Sequence, residues 1–345
     1  MRFVVLTGVL ALVLGLSAVP ASMAQSAAPY KVILTKTVGG DGRFDYVYAD
    51  VSGRRLYIPR IGPSGAISVF DLDTLAPIGS IANASGHGAV ADEKTHHAFG
   101  TSKPVTMWDS ESLQTIKTID VQGGPDGIAA DPFNGRIYIL SHSAPNATVI
   151  DAKDGSVVGT IDLGGAPEQT VSDGNGHLFV DIEDKGNIAV VDARTLTVTA
   201  HYDLGGKGGT CAGLAIDRKN NILFAACRDP QTMVILRAGD GKILATLPIG
   251  SGTDGAVFNP NTMEAFSSQS DGTLSVVKEE SPTAFSLEQT VQTKAGAKTL
   301  TLDTKTNHLF LITADFTSPP PAAPGQPRGR PQMVPGTFSI IVVGK

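Results

Sequence analysis

Acidic, imidazole and ammonium side chains recur at one fixed offset along this chain. Asp45, His87, Asp126, Glu168, Asp254 and Lys298 stand five residues before Asp50, Asp92, Asp131, Asp173, Asn259 and Asp303, and Ala212 holds the same place before Asp217. Four carboxylates brought to one place could hold a hard cation through oxygen ligands, so Asp45, Asp126, Glu168 and Asp254 form a candidate metal set for Ca2+ or Zn2+. The same crowding would raise a carboxylate pKa and create a general base, with His87 as an alternative base. A competing explanation is structural: an Asp repeated in a Gly-x-x-Asp turn caps backbone N–H groups. That account suits Asp126 and Asp254. It does not suit His87, Glu168 and Lys298, which break the repeat and need a cause of their own.

The offset exists because the chain repeats about every 42 residues. The segments ADVSGRRLYI, ADEKTHHAFG, ADPFNGRIYI, SDGNGHLFVD, IDRKNNILFA, FNPNTMEAFS and LDTKTNHLFL each place a polar turn between two apolar runs, with turn residues spaced 42, 39, 42, 44, 42 and 44 apart. Short strands at this period predict an all-β fold, a seven-bladed β-propeller with four-stranded blades. Third strands such as ISVFD, IAVVD and FSIIVVG are apolar on both faces, as strands sandwiched between blades must be. Blade 7 lacks a fourth strand after FSIIVVGK. KVILTKTVGG near the N-terminus resembles the fourth strands elsewhere and is expected to complete blade 7 and close the ring, leaving no open edge. A Pro-rich stretch, 317–336, interrupts blade 7 and cannot pair as a central strand. It is expected to be an extended surface loop, made locally basic by Arg328 and Arg330.

In this architecture the seven offset positions begin the innermost strands around one channel mouth. Loops between second and third strands open on the same face and add Arg60, His142 and Arg228 as candidate binding residues, with Lys103, Glu183, Asp184, Asp271 and Asp315 beside them. The hairpin Asp residues lie on the opposite face and read as turn formers, as do Asp71, Asp109, Asp151 and Asp192. His96 and His97 also sit in a hairpin on that far face.

Arg2 followed by the apolar run FVVLTGVLALVLGLSAV, with small Ser22 and Ala24 before Gln25, reads as an export signal over residues 1–24. Residues 25–345 then form one propeller domain, periplasmic or secreted and expected to be monomeric. No later apolar run is long enough to span a bilayer. The net charge of −6 and the absence of a basic cluster give no support to a broad nucleic-acid surface. With the blade 5 hairpin centred on Lys219, Cys211 falls opposite Cys227, at a Cα spacing a disulfide spans and in a compartment that would preserve it. A nucleophile elbow, a P-loop, a dinucleotide fingerprint and a haem-attachment motif are all missing.

The wording of the repeat, GGPDGIAADPFNGRIYI followed by ATVIDAKDGSVVGTIDLGG, resembles the YVTN-repeat, or YncE-like, bacterial β-propellers over essentially all of residues 25–345. The WD-repeat pattern fits only by the accidental TMWD at 106–109, and Trp108 alone cannot supply the Trp per blade of quinoprotein propellers. The resemblance implies an exported binding or scaffold protein more firmly than any reaction, with a small molecule or a protein as partner and no cofactor. The mouth offers one alternative, a metal-dependent, lactonase-like hydrolase using the acidic set, and the resemblance implies a second, a single-stranded nucleic-acid binder, against which the acidic ring counts.

Overall fold

The computed structural model describes residues 1, 4, 28–40, 42–318 and 331–345. The expected export signal and the tip of the Pro-rich insertion, with Arg328 and Arg330, lie outside the described residues. Within them the chain is a seven-bladed propeller of four-stranded antiparallel blades. In blade 3, for example, the strands run Pro125–Asp131, Arg136–Ser141, Ala147–Asp151 and Val157–Ile161 in consecutive order. The first strand of each blade faces the central channel and touches the first strands of its neighbours. In blade 1 this innermost strand is broken in two, Arg43–Phe44 and Tyr48–Asp50, both pairing with Arg55–Ile61. Asp45 and Tyr46 sit in the break.

Hydrophobic burial is organised by seam. Seven apolar clusters each join two adjacent blades; Tyr138, Leu140 and Val149 of blade 3, for instance, pack on Leu178, Val180 and Ala189 of blade 4. This explains the two-faced apolar third strands, buried throughout in Ser339–Gly344, and the exposed fourth strands such as Pro77–Ile81 at the rim. Trp108 is one of these seam residues, fully buried against Tyr57.

The hairpin carboxylates do the turn work expected of them. Asp50 accepts from Gly53 N–H, Asp131 from Phe133, Asp217 from Lys219 and Asp303 from Lys305, while the Asn259 amide oxygen accepts from Asn261. Four residues after the turn residue the backbone turns left-handed, at Arg54, His96, Gly135, Asn221, Met263 and Asn307. Gly and Asn adopt that conformation at low cost, so His96 sits there as a turn residue. Cys211 and Cys227 face each other across the blade 5 hairpin and are disulfide-bonded.

Ring closure follows the expected route. Lys31–Thr37 pairs antiparallel with Ser339–Gly344, placing the N-terminal strand at the rim of blade 7. Beside it the Tyr30 hydroxyl donates to Glu264 Oε2 at 2.5 Å, and Lys345 Nζ donates to Glu264 Oε1 at 2.9 Å. The two ends of the blade 7 clasp thus meet on one buried carboxylate of blade 6. Deleting residues 28–37 removes both the strand and the Tyr30 anchor. Thermal unfolding of that variant should lie about 10 °C or more below the chain that retains them; a shift of a degree or less would show that closure rests elsewhere.

Candidate functional site

Strand starts and loop ends bring the offset residues together at one end of the channel. His87, at the entry to blade 2, points Nδ1 between Asp45 Oδ2 of blade 1 (2.8 Å) and Asp126 Oδ1 of blade 3 (3.1 Å). His142, from the blade 3 outer loop, points Nε2 between Asp126 Oδ2 (3.7 Å) and Glu168 Oε1 of blade 4 (3.5 Å). Glu168 in turn lies beside Glu183, the two carboxylates and His142 each bringing an atom within 4.8 Å of the others. Glu183 accepts from Arg228 Nη1 at 2.6 Å, and the other Arg228 nitrogen binds Asp254 of blade 6. Lys298 of blade 7 binds Asp254 and reaches Asp45 Oδ1 at 3.6 Å. The contacts return to their starting residue and form a closed ring of nine side chains.

The ring has two unlike halves. Asp254, with its side chain 9% exposed, lies between Arg228 and Lys298. Burial alone would pull the Lys298 pKa down, but the charges of Asp254 and Asp45 outweigh it and raise the value. Opposite lie Asp45, Asp126, Glu168 and Glu183 with two imidazoles, and His142 is 43% exposed to solvent. The hydrogen bond to Glu168 pushes His142 up to about 9 against the cost of burial. Burial pushes Glu168 up to about 7, with His142 opposing and Glu183 adding to the rise. Burial also raises Asp126, whereas in Asp45 the His87 hydrogen bond and the Lys298 charge overcome burial and lower the value. His87 is raised, chiefly by its bond to Asp45.

Beneath the ring runs a channel cavity of about 660 Å3, walled by innermost strands and reaching Arg218, Lys219 and Thr304 at the hairpin end. At the mouth end its lining stops at Tyr46, Glu168 and Gln169. Tyr46 of blade 1 donates its hydroxyl across the channel to Glu168 Oε2 at 3.1 Å. Gln169 donates to Ala256 O and accepts from the N–H groups of Leu214 and Ala256, tying blade 4 to blades 5 and 6. These braces fix the height and orientation of Glu168.

Eight of the nine candidate residues are therefore in the ring: Asp45, His87, Asp126, Glu168, Asp254, Lys298, His142 and Arg228. Arg60 is turned to other partners. Its guanidinium lies 3.8 Å over the Phe338 ring and donates to the carbonyls of Gly40 and Gly42, at the seam of blades 7 and 1. The proposed metal quartet also divides. Among the described residues, the groups of three or more His and carboxylate ligand atoms within 4.8 Å of one another are Asp45–His87–Asp126 and His142–Glu168–Glu183. Asp254 is drawn instead to the two permanent cations. Glu183 and Tyr46 are the members that sequence offsets did not rank; Tyr46, adjoining Asp45 in a broken strand, was the available signal. The described ends of the insertion lean on the mouth face, with Phe316 bridged to Met333 and packed near Phe44.

No known family's sequence profile matches the chain, and no curated protein matches it. Solved structures do. The WD40 repeats of RRP9 superpose with a TM-score of 0.69 at 12% identity, covering 91% of this chain and 97% of that one. A structure of U3-55K gives 0.69 at 12%, covering 90% and 98%. A chain of the mitotic checkpoint complex gives 0.70 at 12%, covering 88% and 95%. The chain is a seven-bladed β-propeller. At this identity the likeness is one of fold, and propeller sites are argued from their own residues. Among the described residues no helix is long and apolar enough to cross a membrane.

The His142–Glu168 pair is testable on its own. Both folded-state values lie above the ordinary ones, so the stability each contributes is fully present at low pH. It is lost as pH rises, from about 4.5 to about 7 for Glu168 and from about 6.5 to about 9 for His142. Glu168→Gln should lower the His142 pKa by about one unit or more in an NMR titration of the ring protons. A His142 pKa unchanged in that variant would refute the pairing.

Proposed function

We propose that this chain is an exported, cell-envelope propeller of the YVTN-repeat kind that binds a small molecule or a protein partner at the channel-mouth face. One observation carries the reading. Among the described residues the carboxylates of Asp45, Asp126, Glu168 and Asp254 bond to side chains of neighbouring blades and to no backbone N–H. The hairpin carboxylates Asp50, Asp131 and Asp217 each accept a backbone N–H of their own turn. Turn capping therefore accounts for the hairpin carboxylates but not for those of the mouth.

A ring of opposed charges drawn from all seven blades and bonded from blade to blade suits recognition of a polar ligand with little reorganisation on binding. The resemblance in repeat wording supports the family and the export. A single-stranded nucleic acid fits less well, because five ring carboxylates face only Arg228 and Lys298 as permanent cations.

Hydrogen–deuterium exchange locates the face whatever the bound molecule proves to be. The chain from residue 25 onward, mixed with an envelope extract, should gain protection in the mouth loops around residues 43–46, 122–126, 183–186 and 228–230. Protection confined to the hairpins around 51–54, 93–96 and 218–221 would place binding on the opposite face and refute the reading.

A further inference from the structure

We infer that the under-compensated half of the mouth is a two-cation site for divalent metals of the zinc type, with Asp126 bridging the two positions. The inference rests on the mouth-face reading and names what that face takes up. The first position is framed by Asp45, His87 and Asp126, the second by His142, Glu168 and Glu183. Asp126 offers Oδ1 toward His87 and Oδ2 toward His142, so one carboxylate serves both sets.

The spacing of the donor atoms fits a metal. Two ligand atoms each about 2.0–2.1 Å from a tetrahedral ion are about 3.3 Å apart. The imidazole-to-carboxylate distances here are 2.8, 3.1, 3.5 and 3.7 Å. Mixed imidazole and carboxylate donors select Zn2+ or a neighbouring transition ion over Ca2+, which prefers oxygen alone. The first position has three protein ligands, which leaves room for a water or a ligand atom, and the second has four once Asp126 is shared.

Two further observations point to missing positive charge. Glu168, Glu183 and His142 each bring a ligand atom within 4.8 Å of the others, and two carboxylates that close favour a cation between them. The ring sets five carboxylates against two permanent cations, and once the imidazoles give up their protons to metal, as ligation requires, two divalent ions would cancel the excess to within one charge. Tyr46 supplies the outer support such sites need, holding Glu168 Oε2 so that Oε1 faces His142.

The test is isothermal titration of ZnCl2 into the EDTA-dialysed chain from residue 25 onward, with melting curves for every variant. Two equivalents should bind. Asp126→Asn should weaken both by about 10-fold or more, whereas His87→Ala and His142→Ala should each remove one. His96→Ala with His97→Ala, on the hairpin face, should change nothing. Should Asp126→Asn fail to fold, the two histidine variants decide alone. One equivalent or none, or binding lost only in the hairpin-face variant, overturns the inference. A chain whose mouth loops are protected by envelope extract but which takes up no zinc keeps its binding face and loses only the cation site.

Discussion

The antiparallel pairing of Lys31–Thr37 with Ser339–Gly344 is the constraint on which the rest of this molecule depends. A propeller with a free edge at blade 7 would leave the seam between blades 7 and 1 held by side chains alone. Lys298 enters blade 7 and must reach Asp254 on one side and Asp45 on the other. That reach exists only if the ring is shut. Tyr30 and Lys345 lock the clasp onto Glu264, and Arg54 ties blade 1 back to Asp303 of blade 7 on the opposite face. Closure is thus secured at the rim and at the hairpin end, leaving the mouth to be shaped by its own charges.

Those charges are arranged by compensation. A buried carboxylate is costly unless paired, and Asp254 is paired twice. On the far side of the ring the partners are imidazoles, whose charge depends on a proton. The protein therefore holds one electrostatically settled half, and one half in which Glu183 and Asp45 reach permanent cations while Asp126 and Glu168 are paired only with imidazoles. At the hairpin end the turn carboxylates also accept backbone N–H groups, which none of the ring carboxylates does among the described residues. The same residue type, Asp, has opposite uses at the two ends of one strand, and the difference lies in what faces it.

Much of this was legible in the residues. The period near 42 predicts the blades, the missing fourth strand after FSIIVVGK predicts the clasp, and the Lys219-centred turn places Cys211 opposite Cys227. The fixed offset predicts that Asp45, His87, Asp126, Glu168, Asp254 and Lys298 share one mouth, because a repeat maps equal offsets to equal heights. An offset carries no information about rotamers or about which blade a side chain leans toward. Arg60 and Arg228 occupy equivalent loops, yet Arg60 folds over Phe338 while Arg228 reaches Glu183 and Asp254. The aromatic ring that captures Arg60 is contributed by blade 7, far away in sequence. Glu183 and Tyr46 escaped ranking for the same reason: each acts across a blade boundary or the channel.

The central claim is that the unlike residues at the mouth exist to hold something positive between them. Anomalous diffraction at the zinc absorption edge, from crystals grown with zinc, tests this most directly. The account predicts two anomalous peaks flanking the Asp126 carboxylate, one beside His87 and one beside His142. A map with no peak at the mouth, or with peaks only at the hairpin histidines His96 and His97, would contradict it.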